Sequence, residues 1–412
     1  GDQSRRRMRV GIVGGGPGGL ALAHALLTLP GPKKIDSVKV YDRGGILEPG
    51  VGGGFQLSCG AATLQRLGID VSEVGTPLRS VLSRRPGGTE LLSLDIQQSM
   101  RDAGAPLITP EDGTFAVMRS SLQQLLASRL PEGTLQLGRK VSAVRPDGNG
   151  RATLSFEDGS ADETPDLVIG SDGIASVVKS GCFPNEPPPT YSGVKIIFAV
   201  GPSGTRPAGT EESFHQWLGD GAYCLSASYG NENDCLALCY SDEQPESENA
   251  GWVDASGAAA ACQARLRAAN FPSEVLEVAS SAERFYETSV YFRQPSLRWF
   301  TSDGAAVLMG DAAHAMPPFL GQGANQAICD AYRLASCLKE VGGEHKDVTS
   351  ALCAYQKARW WPTTRLLANS RILGFLETQS GPGALFRDAF FFTTGKLGIA
   401  KAVFLDAATV RA

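Results

Sequence analysis

The sequence has no uninterrupted apolar run of about 18 residues, the length that a membrane-spanning helix needs. Residues 1–8 also lack the apolar stretch of a secretory signal peptide. The 38 basic and 43 acidic side chains nearly balance and give a net charge of −5, so no positive field for nucleic acid is present. We therefore expect a soluble protein without a nucleic-acid partner.

The nine cysteines are odd in number and contain no C-x-x-C pair. Cys235 and Cys239 have no histidine nearby and lack a common zinc spacing, so we expect no metal site. Scattered cysteines are typical of reduced thiols. The predicted localisation is the cytoplasm or another reducing compartment, and an organelle is the alternative if a transit peptide was removed upstream.

A glycine-rich turn lies between a predicted strand, residues 9–13, and a predicted helix, residues 20–27. A second predicted strand, residues 38–42, ends in Asp42, a carboxylate that can accept hydrogen bonds from ribose hydroxyls. Glycines at this spacing allow a tight turn and a close approach to pyrophosphate at a helix N-terminus. The spaced glycines are Gly14, Gly16 and Gly19. The order strand, turn, helix and strand predicts a dinucleotide-binding unit.

Two further motifs follow predicted buried strands. Asp172 and Gly173 come just after the strand 166–170. Asp311 opens the segment 310–325, which follows the strand 305–309 and leads into a helix. A glycine turn of this type does not by itself separate FAD from NAD, whereas the three motifs together are more specific.

This triple set resembles the class A flavoprotein monooxygenases, the para-hydroxybenzoate hydroxylase-like family that includes salicylate hydroxylases and zeaxanthin epoxidases. The resemblance covers about residues 10–371. It implies bound FAD, with Asp172 and Gly173 also serving a transient NADPH or NADH. The FAD-binding residues that it implies are Gly14, Gly16, Gly19, Asp42, Arg43, Arg119, Asp172, Gly173, Asp311, Pro318, Gly321, Gly323, Ala324 and Asn325.

The predicted fold class is α/β, with a Rossmann-type FAD-binding domain, an inserted antiparallel-sheet substrate domain and a helical C-terminal region. Residues 8–186 form the first part of the FAD-binding domain, with an excursion to the substrate domain at about residues 80–105. Residues 187–295 carry alternating, aromatic-rich strands and form the substrate domain. Residues 296–345 return to the flavin, and residues 346–412 are mainly helical.

Three residues are candidates for a direct role beside the flavin or the substrate. Pro318 offers a rigid wall without an N–H group, and Gln56 lies in a glycine-rich loop that either approaches the flavin or is a plain connector. His215 either faces substrate or is an ordinary core histidine, and His314 is expected to orient the flavin loop.

The segments 384–392 and 397–405 are unusually apolar for a C-terminal region. Helices packed on the core are the favoured interpretation. A lid or a peripheral contact with a membrane surface is the alternative.

We expect a monooxygenase that uses NAD(P)H and dioxygen to hydroxylate or epoxidise a small apolar molecule, aromatic or otherwise ring-containing, through a flavin hydroperoxide. The alternatives are an FAD-dependent halogenase or reductase on the same fold, and a non-catalytic FAD-binding module. None of the five tryptophans lies in the Trp-x-Trp-x-Ile-Pro stretch that is typical of halogenases of this fold. The strand 195–198 lacks the tryptophan-arginine pair often found in the family, so the substrate type stays open. The sequence does not give the oligomeric state.

Overall fold

The structure is a computed structural model in which eighteen strands and twelve helices are assigned among the described residues. It describes residues 8–31, 35–47, 53–102, 113–230, 233–243, 251–252, 255–340 and 345–408. The strands are β1 (Met8–Val13), β2 (Ile35–Tyr41), β3 (Gly54–Leu57), β4 (Gly75–Leu78), β5 (Ser80–Arg84), β6 (Glu90–Asp95), β7 (Thr114–Met118), β8 (Leu135–Gln136), β9 (Val141–Pro146), β10 (Ala152–Phe156), β11 (Leu167–Gly170), β12 (Thr190–Pro202), β13 (Ser213–Leu218), β14 (Ala222–Tyr229), β15 (Asn233–Ser241), β16 (Gly251–Trp252), β17 (Arg284–Phe292) and β18 (Ala306–Leu308). The helices are α1 (Pro17–Thr28), α2 (Cys59–Arg66), α3 (Ile96–Asp102), α4 (Arg119–Ser128), α5 (Val177–Cys182), α6 (Ala255–Ala268), α7 (Ser273–Ser281), α8 (Asp311–His314), α9 (Gly323–Glu340), α10 (His345–Glu377), α11 (Pro382–Lys396) and α12 (Ile399–Ala408).

A five-stranded parallel sheet, in the order β18-β11-β1-β2-β8, forms the nucleotide-binding half. Its central strands are short apolar runs that are buried on both faces, which is typical of parallel sheets covered by helices. Helix α1 packs on α9, and both helices share one hydrophobic core with the sheet. The carboxyl ends of β1, β11 and β18 therefore meet at one edge, where a doubly wound sheet binds its ligand.

An eight-stranded sheet, in the order β16-β17-β12-β15-β14-β13-β5-β6, forms the second half. All of its neighbouring pairs are antiparallel except β13 and β5, which run parallel. Side chains such as Trp217 and Cys224 pack with helices α6 and α7 on one face. The opposite face carries Phe198 and Tyr223, and it is turned toward β3 and the loop before α9.

Two smaller sheets complete the described strands: β3-β7-β4 and the hairpin β9-β10. Strand β3 joins the two halves because Gly54, its first residue, and the preceding Gly53 lie against the large sheet. A side chain at Gly54 would collide with the ring of Tyr229, and one at Gly53 would lie 2.7 Å from the ring of Phe198. Only glycine lets these backbones approach so closely.

Among the described residues, the last four helices, α9 to α12, follow one another without an intervening strand, as the sequence predicted for the C-terminal region. Helix α10 packs on α9, α11 packs on β6 and α10, and α12 packs on α11. Within the described residues, no helix has both the length and the apolar character that crossing a bilayer requires. The predicted fold class, a Rossmann-type sheet with an antiparallel sheet and C-terminal helices, is confirmed.

Candidate flavin and substrate site

The glycine turn after β1 leaves space for a ligand at one glycine only. A side chain at Gly14 would collide with the backbone of Ser171, and one at Gly19 would collide with the carbonyl oxygen of Gly14. At Gly16 the nearest atom to an added Cβ is Nη2 of Arg119, 4.0 Å away. Gly16 thus borders an open groove at the N-terminus of α1, where free N–H groups and the helix dipole favour a phosphate.

Asp42 follows β2 and lies beside the same turn. Its Oδ2 accepts a hydrogen bond from the N–H of Gly15 at 2.7 Å, and its Oδ1 accepts one from the N–H of Gly44 at 2.7 Å. A carboxylate offers about four lone-pair positions, so Asp42 keeps acceptor capacity for ribose hydroxyls. Arg43, its predicted partner at the adenosine end, is exposed next to it.

Helix α4 forms the cationic wall of the groove. Arg119, its first residue, is exposed, and its backbone N–H donates to the carbonyl of Gly53 at 3.3 Å. Gln123, one turn further on, donates from Nε2 to the carbonyl of Gly15 at 2.9 Å. Gln123 was not predicted from the sequence, because a glutamine on a helix surface carries no signal that it reaches a distant turn.

Asp311 begins α8 and is exposed to the groove. Desolvation by the surrounding protein raises the pKa of Asp311, while His314 and Arg119 act in the opposite direction. A Cβ at Gly323, the first residue of α9, would lie 3.8 Å from Oδ1 of Asp311. Ala324 is half-buried beside them. These residues border one space at the start of α9, where free N–H groups favour negative charge.

Asn325 fastens this region to β3. The side chain is fully buried, and its Oδ1 accepts hydrogen bonds from the N–H groups of Ser58 and Gly60, both at 2.9 Å. Its Nδ2 donates to the carbonyls of Gln56 at 2.8 Å and Gly321 at 3.0 Å. The Gln56 side chain also stays close, since its Oε1 lies 4.0 Å from the position of a Cβ at Gly321.

The loop before α9 carries Pro318 at its exposed tip, in a 3-10 turn over residues Pro318–Leu320. The loop is tied to α10 because Oγ of Ser370 donates to the carbonyl of Pro317 at 2.6 Å. The Phe319 ring lies edge-on to Tyr223, with 6.2 Å between ring centroids. The loop thus separates the groove of the parallel sheet from the face of the large sheet.

Asp172 and Gly173 lie at the same edge of the parallel sheet. A Cβ at Gly14 would come 2.8 Å from the Cα of Asp172, which places Asp172 beside the glycine turn. Its Oδ2 accepts hydrogen bonds from the N–H groups of Val177 at 2.7 Å and Val178 at 3.2 Å. Burial raises the pKa of Asp172, against the effect of these hydrogen bonds. Gly173, with φ +79°, has nothing within 4 Å of an added Cβ.

A buried ionic cluster supports the loop from behind. Asp330 on α9 accepts a hydrogen bond from the N–H of Gly310 at 2.9 Å, contacts Nε2 of His314 at 2.6 Å and pairs with Nε of Arg359 at 2.7 Å. Burial alone would raise the pKa of Asp330, but His314 and Arg359 outweigh it and hold the pKa at about 2. The cluster supports the structural role predicted for His314.

The face of the large sheet that is turned toward the loop before α9 is apolar and only partly covered. Half-buried apolar side chains of the sheet, the loop and α10 meet there: Phe198, Leu225, Ala237, Phe319, Leu373 and Leu376. Polar side chains lie at one end of this apolar face, which we call its polar end. There Gln216 accepts a hydrogen bond from Oγ of Ser83 at 2.7 Å and donates to Oε1 of Glu377 at 2.5 Å. Burial raises the pKa of Glu377 to about 8. A neutral carboxyl therefore lies at the polar end near pH 7.

His215 is not brought together with these residues. It alternates with Gln216 along β13, so its buried side chain lies on the other face of the sheet, with its ring 5.3 Å from that of Trp217. Burial lowers the pKa of His215 to about 4, with help from Arg206 and Arg84. The catalytic role for His215 remains a prediction that this position does not favour. The other sequence-based candidates lie in or beside the groove.

Within the described part of the chain, no group of three or more His, Cys, Asp or Glu side chains is placed to hold a metal ion. All nine cysteines are free. The groove has instead the features that suit a flavin dinucleotide: an open position at Gly16, the Asp42 carboxylate, cationic Arg119 and the start of α9. Fold and site together define a flavin-binding protein of the Rossmann type.

The FAD binding domain family matches residues 109–370. An aurachin C monooxygenase/isomerase from Stigmatella aurantiaca is 30% identical over 368 residues, 88% of this chain and 88% of the relative. A 3-amino-4-hydroxybenzoate 2-monooxygenase from Streptomyces cremeus is 30% identical, over 93% of this chain and 91% of the relative. The chain therefore belongs to the FAD-binding monooxygenase family, and it is an FAD-dependent oxidoreductase.

The fold is also that of solved structures. HpxO of Klebsiella pneumoniae, in complex with FAD and uric acid, superposes with a TM-score of 0.80 at 18% identity, covering 97% of this chain and 96% of the other. This likeness confirms the architecture over both halves of the molecule.

Proposed function

We propose that the protein uses NAD(P)H and dioxygen to insert one oxygen atom into a small apolar, ring-containing molecule, as a hydroxyl or an epoxide. The observation that carries the proposal is the position of the apolar face of the large sheet, directly across the Pro318 loop from the groove. An aromatic ring held there would be separated from a flavin in the groove by this loop alone. The name of one relative, a 3-amino-4-hydroxybenzoate 2-monooxygenase, supports a ring-containing substrate.

Bound FAD supplies the electron transfer and oxygen chemistry, which no side chain can provide. The chain holds the cofactor and shapes its surroundings. Gly16 and the start of α1 would hold the pyrophosphate, and Asp42 would accept hydrogen bonds from the adenosine ribose. Arg119 and Asp311 would hold the part of the cofactor between pyrophosphate and ring. The free N–H groups at the N-terminus of α9 would favour negative charge on a ring bound there.

Pro318 and Gln56 would line the side of the groove nearest the apolar face. Pro318 has no N–H to offer, and the hydrogen bond from Ser370 to the neighbouring carbonyl keeps the loop in place. A wall that excludes water favours oxygen transfer over release of hydrogen peroxide. Asn325 fixes the backbone of Gln56 against the loop, so these two residues keep their relative positions.

The polar end of the apolar face orients the substrate. The Gln216 amide is held at both ends, by Ser83 and by the neutral carboxyl of Glu377, so its remaining N–H and lone pair point in a fixed direction. A ring that carries a hydroxyl, amine or carbonyl group would meet that amide while its apolar part lies against Phe198 and Leu225. We also propose a reducing compartment for the protein, because its cysteines are free.

The test is a substrate screen of the FAD-loaded protein. Substituted hydroxybenzoates, bicyclic heteroaromatic compounds and apolar polycyclic compounds are each mixed with NADH or NADPH, and both cofactor oxidation and peroxide release are recorded. We expect at least one ring-containing compound to accelerate cofactor oxidation and to lower the peroxide released per NAD(P)H. Flavin that neither NADH nor NADPH reduces, with any compound present, would contradict the proposal.

A further inference from the structure

Helix α11 turns an apolar face outward. Its inward face is buried by Ala384, Arg387, Asp388 and Phe391. The large outward side chains of α11 and the residue after it, with their exposed fractions, are Leu385 (66%), Phe386 (64%), Phe390 (40%), Phe392 (42%) and Leu397 (69%). Positions 386, 390 and 397 recur at helical spacing, so they form one stripe rather than scattered exceptions. A soluble surface rarely exposes so many aromatic side chains in one place.

Helix α12 continues the same surface after a two-residue connection. Ile399 and Val403, one turn apart, are also exposed, and α12 packs against α11. We call the outward side chains of α11 and α12, with Leu397 between them, the C-terminal apolar surface. Its tip, residues 396–401, places Leu397 and Ile399 between Lys396 and Lys401.

Among the charged side chains of α11 and α12, Lys396 is the one that is exposed, in a protein whose net charge is −5. Arg387 and Asp388 pair with each other and are buried. Asp406, the other acidic residue of α11 and α12, pairs with Arg365 on α10. Lys396 remains at the surface, with Nζ 4.2 Å above the ring of Phe392.

We propose that the C-terminal apolar surface docks on an anionic lipid bilayer, with its leucine and phenylalanine side chains inserted at the level of the headgroups. Exposed aromatic and aliphatic side chains next to lysine are the combination that binds such an interface. A second copy of the chain fits less well, because a twofold contact would face this surface with itself, and α11 and α12 have no exposed acidic side chain to pair with Lys396.

The C-terminal apolar surface is also connected to the loop before α9. Ala407, near the end of α12, packs with Met316 and Leu320 of the loop region, and its carbonyl accepts a hydrogen bond from Sγ of Cys59 at 3.8 Å. A bilayer at this surface therefore lies next to the elements that border the pocket. An apolar substrate dissolved in lipid would then reach the site without crossing water. The lipid contact itself does not depend on the identity of the substrate.

The experiment is flotation of the FAD-loaded protein with vesicles of phosphatidylcholine alone, or of phosphatidylcholine with phosphatidylglycerol. Leu397→Ser removes one apolar side chain from the surface. Leu297→Ser is the matched control, because Leu297 is 71% exposed and lies outside the surface. Flavin content and melting temperature establish that both variants are folded.

We expect binding to the vesicles with phosphatidylglycerol, weaker binding at high salt, and a partition coefficient reduced about tenfold or more in Leu397→Ser. Leu297→Ser should bind as the parent does. Absence of vesicle binding, or equal loss in both variants, would overturn the proposal. So would a concentration-dependent dimer that Leu397→Ser dissociates without any vesicle binding by the parent. Failure here leaves the monooxygenase proposal untouched, because turnover of soluble compounds is measured without vesicles.

Discussion

At the scale of single residues, the three glycines of the first turn have different tasks. Gly14 and Gly19 are required by the backbone around them, since any side chain there would strike main-chain oxygen atoms. Gly16 has open space instead, so its lack of a side chain serves the ligand. The sequence showed the motif but not this division, because the spacing alone does not tell which Cβ direction points into the protein.

The pair Gly16→Ala and Gly19→Ala tests this division. Gly16→Ala should fold with an unchanged melting temperature of the FAD-depleted protein but bind FAD about tenfold or more weakly, because the methyl group occupies the pyrophosphate position. Gly19→Ala should lose roughly 1–3 kcal/mol of folding stability or more, since overpacking against a backbone oxygen is costly. Melting curves and FAD titrations measure both. Equal melting temperatures for the two variants would contradict the assignment.

Glu377 should make stability depend on pH. Its pKa is about 8 in the folded protein, against an ordinary value of 4.5. Between these values the folded state keeps a proton that the unfolded state has lost, so the free energy of unfolding falls as pH rises through this window.

Glu377→Gln keeps a neutral side chain at every pH and should flatten this dependence, with a gain on the order of a few kcal/mol at pH 8. The measurement is the urea midpoint of the FAD-loaded protein from pH 5 to pH 8. Glu277→Gln, at an exposed position of α7, is the control and should behave as the parent. A parental pH slope in Glu377→Gln would show that Glu377 is ionised in the folded protein.

At the scale of elements, the local sequence pattern predicted the strands better than it predicted which strands pair with each other. The alternating strands predicted for residues 187–295 do pair as antiparallel neighbours, as in β13 with β14 and β14 with β15. The parallel pairing of β13 with β5 was beyond prediction, because the two strands lie far apart in the chain and only tertiary packing brings them together. Asn325 was assigned to the flavin, whereas its buried amide also binds two backbone segments, residues 56–60 and Gly321.

The loop before α9 is the element whose conformation should decide coupling. Pro318→Gly removes the fixed φ and adds an N–H group, which loosens the wall and admits water. We expect FAD binding and NAD(P)H oxidation to persist, while the share of reducing equivalents released as hydrogen peroxide rises about twofold to tenfold.

The readout for Pro318→Gly is product formed per NAD(P)H with a turned-over substrate, and Pro272→Gly, before α7, is the control. Parental coupling in Pro318→Gly would mean that the proline only sets a turn.

At the scale of the whole molecule, the groove of the parallel sheet and the apolar face of the large sheet lie on either side of one loop. The sequence predicted both halves because each has a distinct periodicity, buried strands in one and alternating strands in the other. It could not predict how they dock, which depends on contacts such as Gly53 with Phe198 and Gly54 with Tyr229. Glu377 and Asp330 also gave no signal, because a lone acidic residue in a helix normally faces solvent.

The most direct test of the central claim follows the oxygen atom. The FAD-loaded protein is mixed with NAD(P)H, a ring-containing substrate found in the screen, and dioxygen made of the heavy oxygen isotope. The mass of the product is then measured by mass spectrometry. One atom of dioxygen should enter the product and the other should leave as water, so the product should carry a single heavy oxygen atom. A product whose added oxygen has the ordinary mass, and therefore comes from water, would contradict the account.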